Sequence, residues 1–70
     1  MMPLVVAPAG EEQLIKRIGG SEVVKRHLQE LGFVPGSYVT VVSEIGGNLI
    51  VNVKESRVAV DKQLAQKIMV

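Results

Sequence analysis

No cysteine occurs in this chain, which excludes a disulfide framework and any thiolate metal site. Tryptophan is also absent, and Phe33 and Tyr38 are the only aromatics. A proline-peptide groove or a single-strand stacking platform needs more aromatic surface than that. His27 is the single histidine, and the serines fall at caps, turns and strands. Ser21 and His27 lie on different faces of one helical pattern, so no activated nucleophile is assembled and no enzymatic activity or cofactor is expected. Charge of one sign is lacking too: eight Lys and Arg against seven Asp and Glu leave a net charge of +1. That is far from a nucleic-acid footprint, and no nucleic-acid partner is expected. The two basic doublets, Lys16-Arg17 and Lys25-Arg26, have acidic residues nearby and read as solvated faces.

Long apolar runs are missing as well. None approaches the about 18 residues of a membrane-spanning helix, so no direct membrane insertion is expected. Ala7-Pro8-Ala9 resembles a signal-peptidase site only superficially, since no charged segment precedes it and Leu4-Val5-Val6 is too short for the apolar core of a leader. A cytoplasmic location is the expectation. What the chain has in quantity is aliphatic core material: thirteen valines, six leucines and five isoleucines among 70 residues. Residues 1–70 are expected to form one domain held together by packing alone.

Pro3 and Pro8 frame Leu4-Val5-Val6 as a short edge strand. Ala9 to Glu12 reads as a turn, and Leu14 to Ile18 as a second strand stopped by Gly19-Gly20. Ser21 is a good N-cap and Glu22 complements the helix dipole. From Glu22 to Leu31 the pattern is helical, with Val24, Leu28 and Leu31 on one face and Val23 beside it. Gly32 falls where a left-handed residue ends the helix, and Pro35-Gly36 fits the centre of a type II turn. Tyr38 to Ile45 and Leu49 to Lys54 then read as strands of a hairpin. A two-residue Gly46-Gly47 loop would set Val41 opposite Asn52 and Val39 opposite Lys54. A three-residue loop of Gly46, Gly47 and Asn48 gathers Val39, Val41, Ile45, Leu49, Val51 and Val53 on one face, and is preferred. Glu55 to Arg57 reads as a turn and Val58 to Val60 as a strand. Asp61 caps a short helix from Lys62 to Gln66 with Leu64 and Ala65 inward, and Ile68 to Val70 is a final strand.

The order β-β-α-β-β-β-α-β implies a mainly β, small α+β fold. The expectation is an SH3-like, partly open barrel with one amphipathic helix packed on it and a short C-terminal helix. Val42 and Ile50, on the second face of the hairpin, are surplus to one core. They imply either a further packed layer or a partner contact, self-association included.

Candidate chemistry is sparse. His27 and Glu30 stand at i, i+3 on the helix, the only pair suited to sharing a transition metal, and two ligands alone bind weakly. Glu11-Glu12 reads as a solvated turn. Gly19-Gly20 precedes a helix but has no P-loop lysine, so it reads as a tight strand-to-helix turn.

Several stretches together resemble the FeoA domain. They are Ile18-Gly19-Gly20, the helix end Leu28-Gln29-Glu30-Leu31-Gly32, and Pro35-Gly36. The resemblance continues through Val39-Thr40-Val41-Val42 and Leu49 to Val53 to the closing Leu64 to Val70. It implies a small cytoplasmic SH3-like accessory protein of FeoB, the membrane ferrous-iron transporter with a GTPase domain, acting by protein–protein contact. It also implies that the helix and its following turn present Arg26, His27, Glu30 and Phe33 to that partner. Leu28 and Leu31 anchor the helix, while Gly19, Gly20, Gly32, Pro35 and Gly36 hold the turns. Replacing Leu28 by Gln is then expected to act through the core, burying an unsatisfied amide at roughly 1–3 kcal/mol. The alternative implied by the same resemblance is a transition-metal-binding or metal-sensing module, as at the C-terminus of iron-dependent repressors.

Overall fold

Local signals set most elements, and strand pairing decides how they are used. The computed structural model describes all 70 residues. The chain runs β1 (Glu12–Leu14), β2 (Arg17–Ile18), α1 (Glu22–Glu30), β3 (Tyr38–Ile45), β4 (Asn48–Val53), β5 (Ser56–Asp61), α2 (Lys62–Ala65) and β6 (Ile68–Met69). The order of elements is the expected one, but the first strand is displaced. Leu4–Val6 forms a single 3-10 turn instead of an edge strand. Proline on either side supplies no ladder donor. The turn satisfies Val6 and Ala7 locally, their N–H groups donating to the carbonyls of Pro3 and Leu4 at 3.1 and 3.0 Å. Extended pairing occurs one step earlier, where Met2 and Val70 exchange N–H···O bonds at 2.8 Å each.

The expected strand from Leu14 to Ile18 is divided between two sheets. β1 pairs antiparallel with β3, and β2 with β6. The switch falls at buried Ile15, whose N–H donates to Ser37 at 2.9 Å, while the next amide, Lys16, donates to Met69 at 2.8 Å. One extended run thus turns a corner, the device by which small sandwiches and barrels wrap. The result is a four-stranded sheet, β1-β3-β4-β5, and a two-stranded sheet, β2-β6, mainly β with two helices and open sheets.

Helix α1 follows its sequence signals closely. Ser21 Oγ accepts the Val24 N–H at 3.2 Å. At the other end Gly32 takes φ +107°, its N–H donates to Gln29 at 3.0 Å, and the Phe33 N–H donates to Leu28 at 2.9 Å. This pair of bonds is a Schellman motif, which comes with an apolar contact between the residue after the glycine and the last helical turn. Leu28 is fully buried, and Val24 and Leu31 are half-buried. Val23, expected beside that face, is 79% exposed; one step round the helix carries it into solvent. The type II turn closes as expected, with the Ser37 N–H donating to Val34 at 3.1 Å and Gly36 at φ +92°.

The β3–β4 hairpin corrects the loop. Ile45 pairs with Asn48 across a two-residue Gly46-Gly47 turn. Positive φ at Gly46 alone is the pattern of a type II′ turn. A bulge between Val41 and Ser43 then shifts the register, so Val41 faces Val51 and Val39 faces Val53. The bulge, not a longer loop, gathers the apolar face. Ile45 lies beyond it on the outer side, 66% exposed. The next turn is Lys54-Glu55, between the paired Val53 and Ser56, rather than residues 55–57. Asp61 caps α2, its Oδ1 accepting the Gln63 and Leu64 N–H groups. All thirteen buried residues are apolar and form one cluster, from Leu4 through the β3 and β4 valines to Val70.

Candidate functional site

α1 is the one element that presents two different polar flanks. Its inward stripe of Val24, Leu28 and Leu31 is anchored on the core. The outer flank carries Arg26, His27 and Glu30, all exposed, with Val23 among them. The helical repeat brings these side chains to one surface. No group of three or more His, Cys, Asp or Glu residues comes together anywhere in the chain. His27 and Glu30 therefore remain two exposed side chains without a third donor, and do not make the three- or four-ligand set that holds a transition ion firmly.

Phe33 requires a correction. It was expected to be presented to a partner, and it is fully buried. The Schellman bonds at Gly32 turn the chain back over the helix, so Phe33 packs inward with Leu28 at the end of α1. The signal was available: an aromatic directly after a helix-ending glycine is placed for that contact. Gly20 also has a structural reason, with φ +95° and a position where a Cβ would approach the Val24 side chain at 3.2 Å.

The other flank of α1 was not singled out by sequence. Glu22, Lys25 and Gln29 face Lys16, Arg17 and Ile18 of the β2 segment across a cavity of about 430 Å³, closed at one end by Phe33, Val34 and Pro35. Two doublets read as solvated faces thus contribute three cations to one groove, because the corner after Ile15 folds Lys16-Arg17 back beside the helix. Arg26 goes to the opposite flank. Lys25 and Glu22 form the one ion pair within the groove, at 3.8 Å between exposed side chains. Such a pair is worth little and exchanges readily.

Comparison with known proteins now bears on this geometry. Residues 2–70 match the family model of the FeoA domain. The whole chain is 36% identical to a protein of Methanocaldococcus jannaschii provisionally named Fe(2+) transport protein A, covering 85% of that protein. Among solved structures, an iron uptake regulatory protein (FeoA) superposes with a TM-score of 0.89 at 28% identity, over 97% of this chain and 90% of that one. Stenotrophomonas maltophilia FeoA, complexed with zinc and described as a procaryotic SH3 domain protein, gives 0.83 at 27% identity over 99% and 88%. A manganese-dependent transcriptional repressor shares the fold alone, with a TM-score of 0.84 at 22% identity over 94% of this chain and 38% of that one. The SH3-like architecture expected from the sequence is therefore the observed one.

Proposed function

The chain belongs to the FeoA domain family, and from that premise we propose that it is a cytoplasmic accessory protein of ferrous-iron uptake, acting by contact with a FeoB-type membrane GTPase transporter. Ferrous iron is the cargo of that system, not a group this chain must hold. The carrying observation is the continuity of the match, which runs from residue 2 to residue 70. The outer flank of α1 supports the mode of action. Arg26, His27 and Glu30 stand exposed on a helix whose inner stripe is locked into the core, so they form a rigid polar surface suited to docking. The alternative of a metal-binding module draws on the zinc held by the Stenotrophomonas relative. Here it finds only His27 and Glu30.

The test is association with the intact transporter in detergent or nanodiscs, with and without guanine nucleotide. Binding by the wild-type protein is expected, weakened about tenfold by Arg26→Glu with an unchanged melting curve. No association in either nucleotide state refutes the reading.

A further inference from the structure

We propose that the groove between β2 and α1 binds an extended acidic segment of another protein, which adds as a strand to the free edge of β2. Three features meet there. The first is main-chain capacity. β2 has β6 on one side and no strand on the other. The Gly19 N–H donates to the Lys67 carbonyl at 2.7 Å, and bonded and non-bonded positions alternate along an antiparallel pair. Ile18, opposite Ile68, is therefore the residue whose N–H and C=O point away from β6. No turn, loop or cap hydrogen bond uses them, and Ile18 lines the groove. An extended chain laid along this edge gains both bonds, as in strand addition generally.

The second feature is charge. The groove holds Lys16, Arg17 and Lys25 but only one acid, Glu22. A chain that is nearly neutral overall, at +1, thus concentrates positive charge beside the open strand edge. Side chains alternate along an added strand, so carboxylates at alternate positions reach the cationic rim while the others lie over Ile18, Val34 and Pro35. The third feature is that partly apolar wall. It favours a peptide over a free anion, which would have no use for it. A nucleic acid is disfavoured because the aromatic ring here, Phe33, is fully buried and offers no stacking face.

This inference concerns the inner flank of α1 and the chemistry of its occupant, whichever protein carries the segment. Failure of transporter association leaves it standing. Failure of the peptide test leaves the outer flank free to dock.

The experiment titrates the ¹⁵N-labelled protein with the blocked peptide Ac-Thr-Glu-Val-Glu-Val-Glu-Thr-NH2, its Gln-for-Glu counterpart, and an oligouridine of similar length. Saturable amide shifts are expected at Ile18, Gly19, Lys25, Gln29 and Val34, with slowed exchange of the Ile18 amide. Affinity should fall about tenfold for the Gln peptide and for Arg17→Glu, less for Lys25→Gln, and should weaken as salt rises. Absence of shifts at about 2 mM peptide, shifts confined to another surface, or equal binding of the Gln peptide overturns the proposal. So does tighter binding of the oligouridine at the same amides.

Discussion

The two sheets of this small domain use their hydrogen bonds differently. β4 is paired along all six residues on both edges, with β3 and with β5, and its inward side chains Leu49, Val51 and Val53 are buried. β2 is two residues long and paired on one edge only. The centre of the large sheet is saturated, with an open edge on β5, which pairs with β4 alone. The small sheet ties the termini to the corner after Ile15 and leaves main-chain capacity over. Changes in the first should therefore register as stability, and changes at the rim of the second as binding. α1 sits at the join, since its apolar stripe belongs to the common core while its flanks face outward.

The sharpest way to break this division is to empty the join itself. Phe33→Ala removes a fully buried ring, a change that costs about 3–5 kcal/mol in a packed core. A domain of this size holds only about 4–10 kcal/mol in total. The variant is expected to lose about half of that stability, which a urea or thermal melt followed by circular dichroism would show. A stable variant with an intact melt would mean that the ring closes the groove without supporting the core. Leu28→Gln is the next largest test, at roughly 1–3 kcal/mol for the buried amide. Because Leu28 shares one cluster with the β3 and β4 valines, hydrogen exchange of α1 and β4 amides should rise by the same factor. If α1 exchanges faster while β4 stays protected, the helix opens on its own, and the two regions are separable units rather than one fold.

What the sequence disclosed was local. Ser21, Gly32, Pro35-Gly36 and Asp61 each act on groups within a few residues, so their effects can be read without knowing the rest of the chain. Tyr38–Ile45 was legible as a strand, because the four consecutive β-branched residues Val39 to Val42 stand between turn signals. What stayed hidden needs partners distant in sequence. The bulge at Val42 exists because Val39 and Val41 must face Val53 and Val51 while the turn demands a different register at Ile45. Leu4 is buried by a turn that only the Met2–Val70 pairing explains. The groove was illegible for the same reason: Lys16-Arg17 and Lys25 become neighbours only after the chain switches sheets at Ile15. The outer flank came from the FeoA resemblance, helical spacing by itself pairing only His27 with Glu30, and burial removes Phe33 from it.

The smallest test concerns the two tight hairpins at opposite ends of β4. Gly46-Gly47 supplies a glycine where φ is +59°, and a residue without Cβ adopts that conformation at no steric cost. Lys54 and Glu55 take φ +48° and +64° in the other turn, the type I′ pattern that favours Asn-Gly. A left-handed conformation costs an ordinary residue about 1–2 kcal/mol, and glycine's extra freedom in the unfolded chain offsets about 0.5–1 kcal/mol of any relief. The double change Lys54→Asn, Glu55→Gly should therefore stabilise the domain by about 1 kcal/mol or less, raising Tm by a few degrees. The groove lies elsewhere, so peptide affinity should not change. A lower Tm would show that the Lys54 and Glu55 side chains contribute more to the native state than their backbone strain removes. The large sheet would then hold a strained position of its own, and the contrast with β2 would be one of degree.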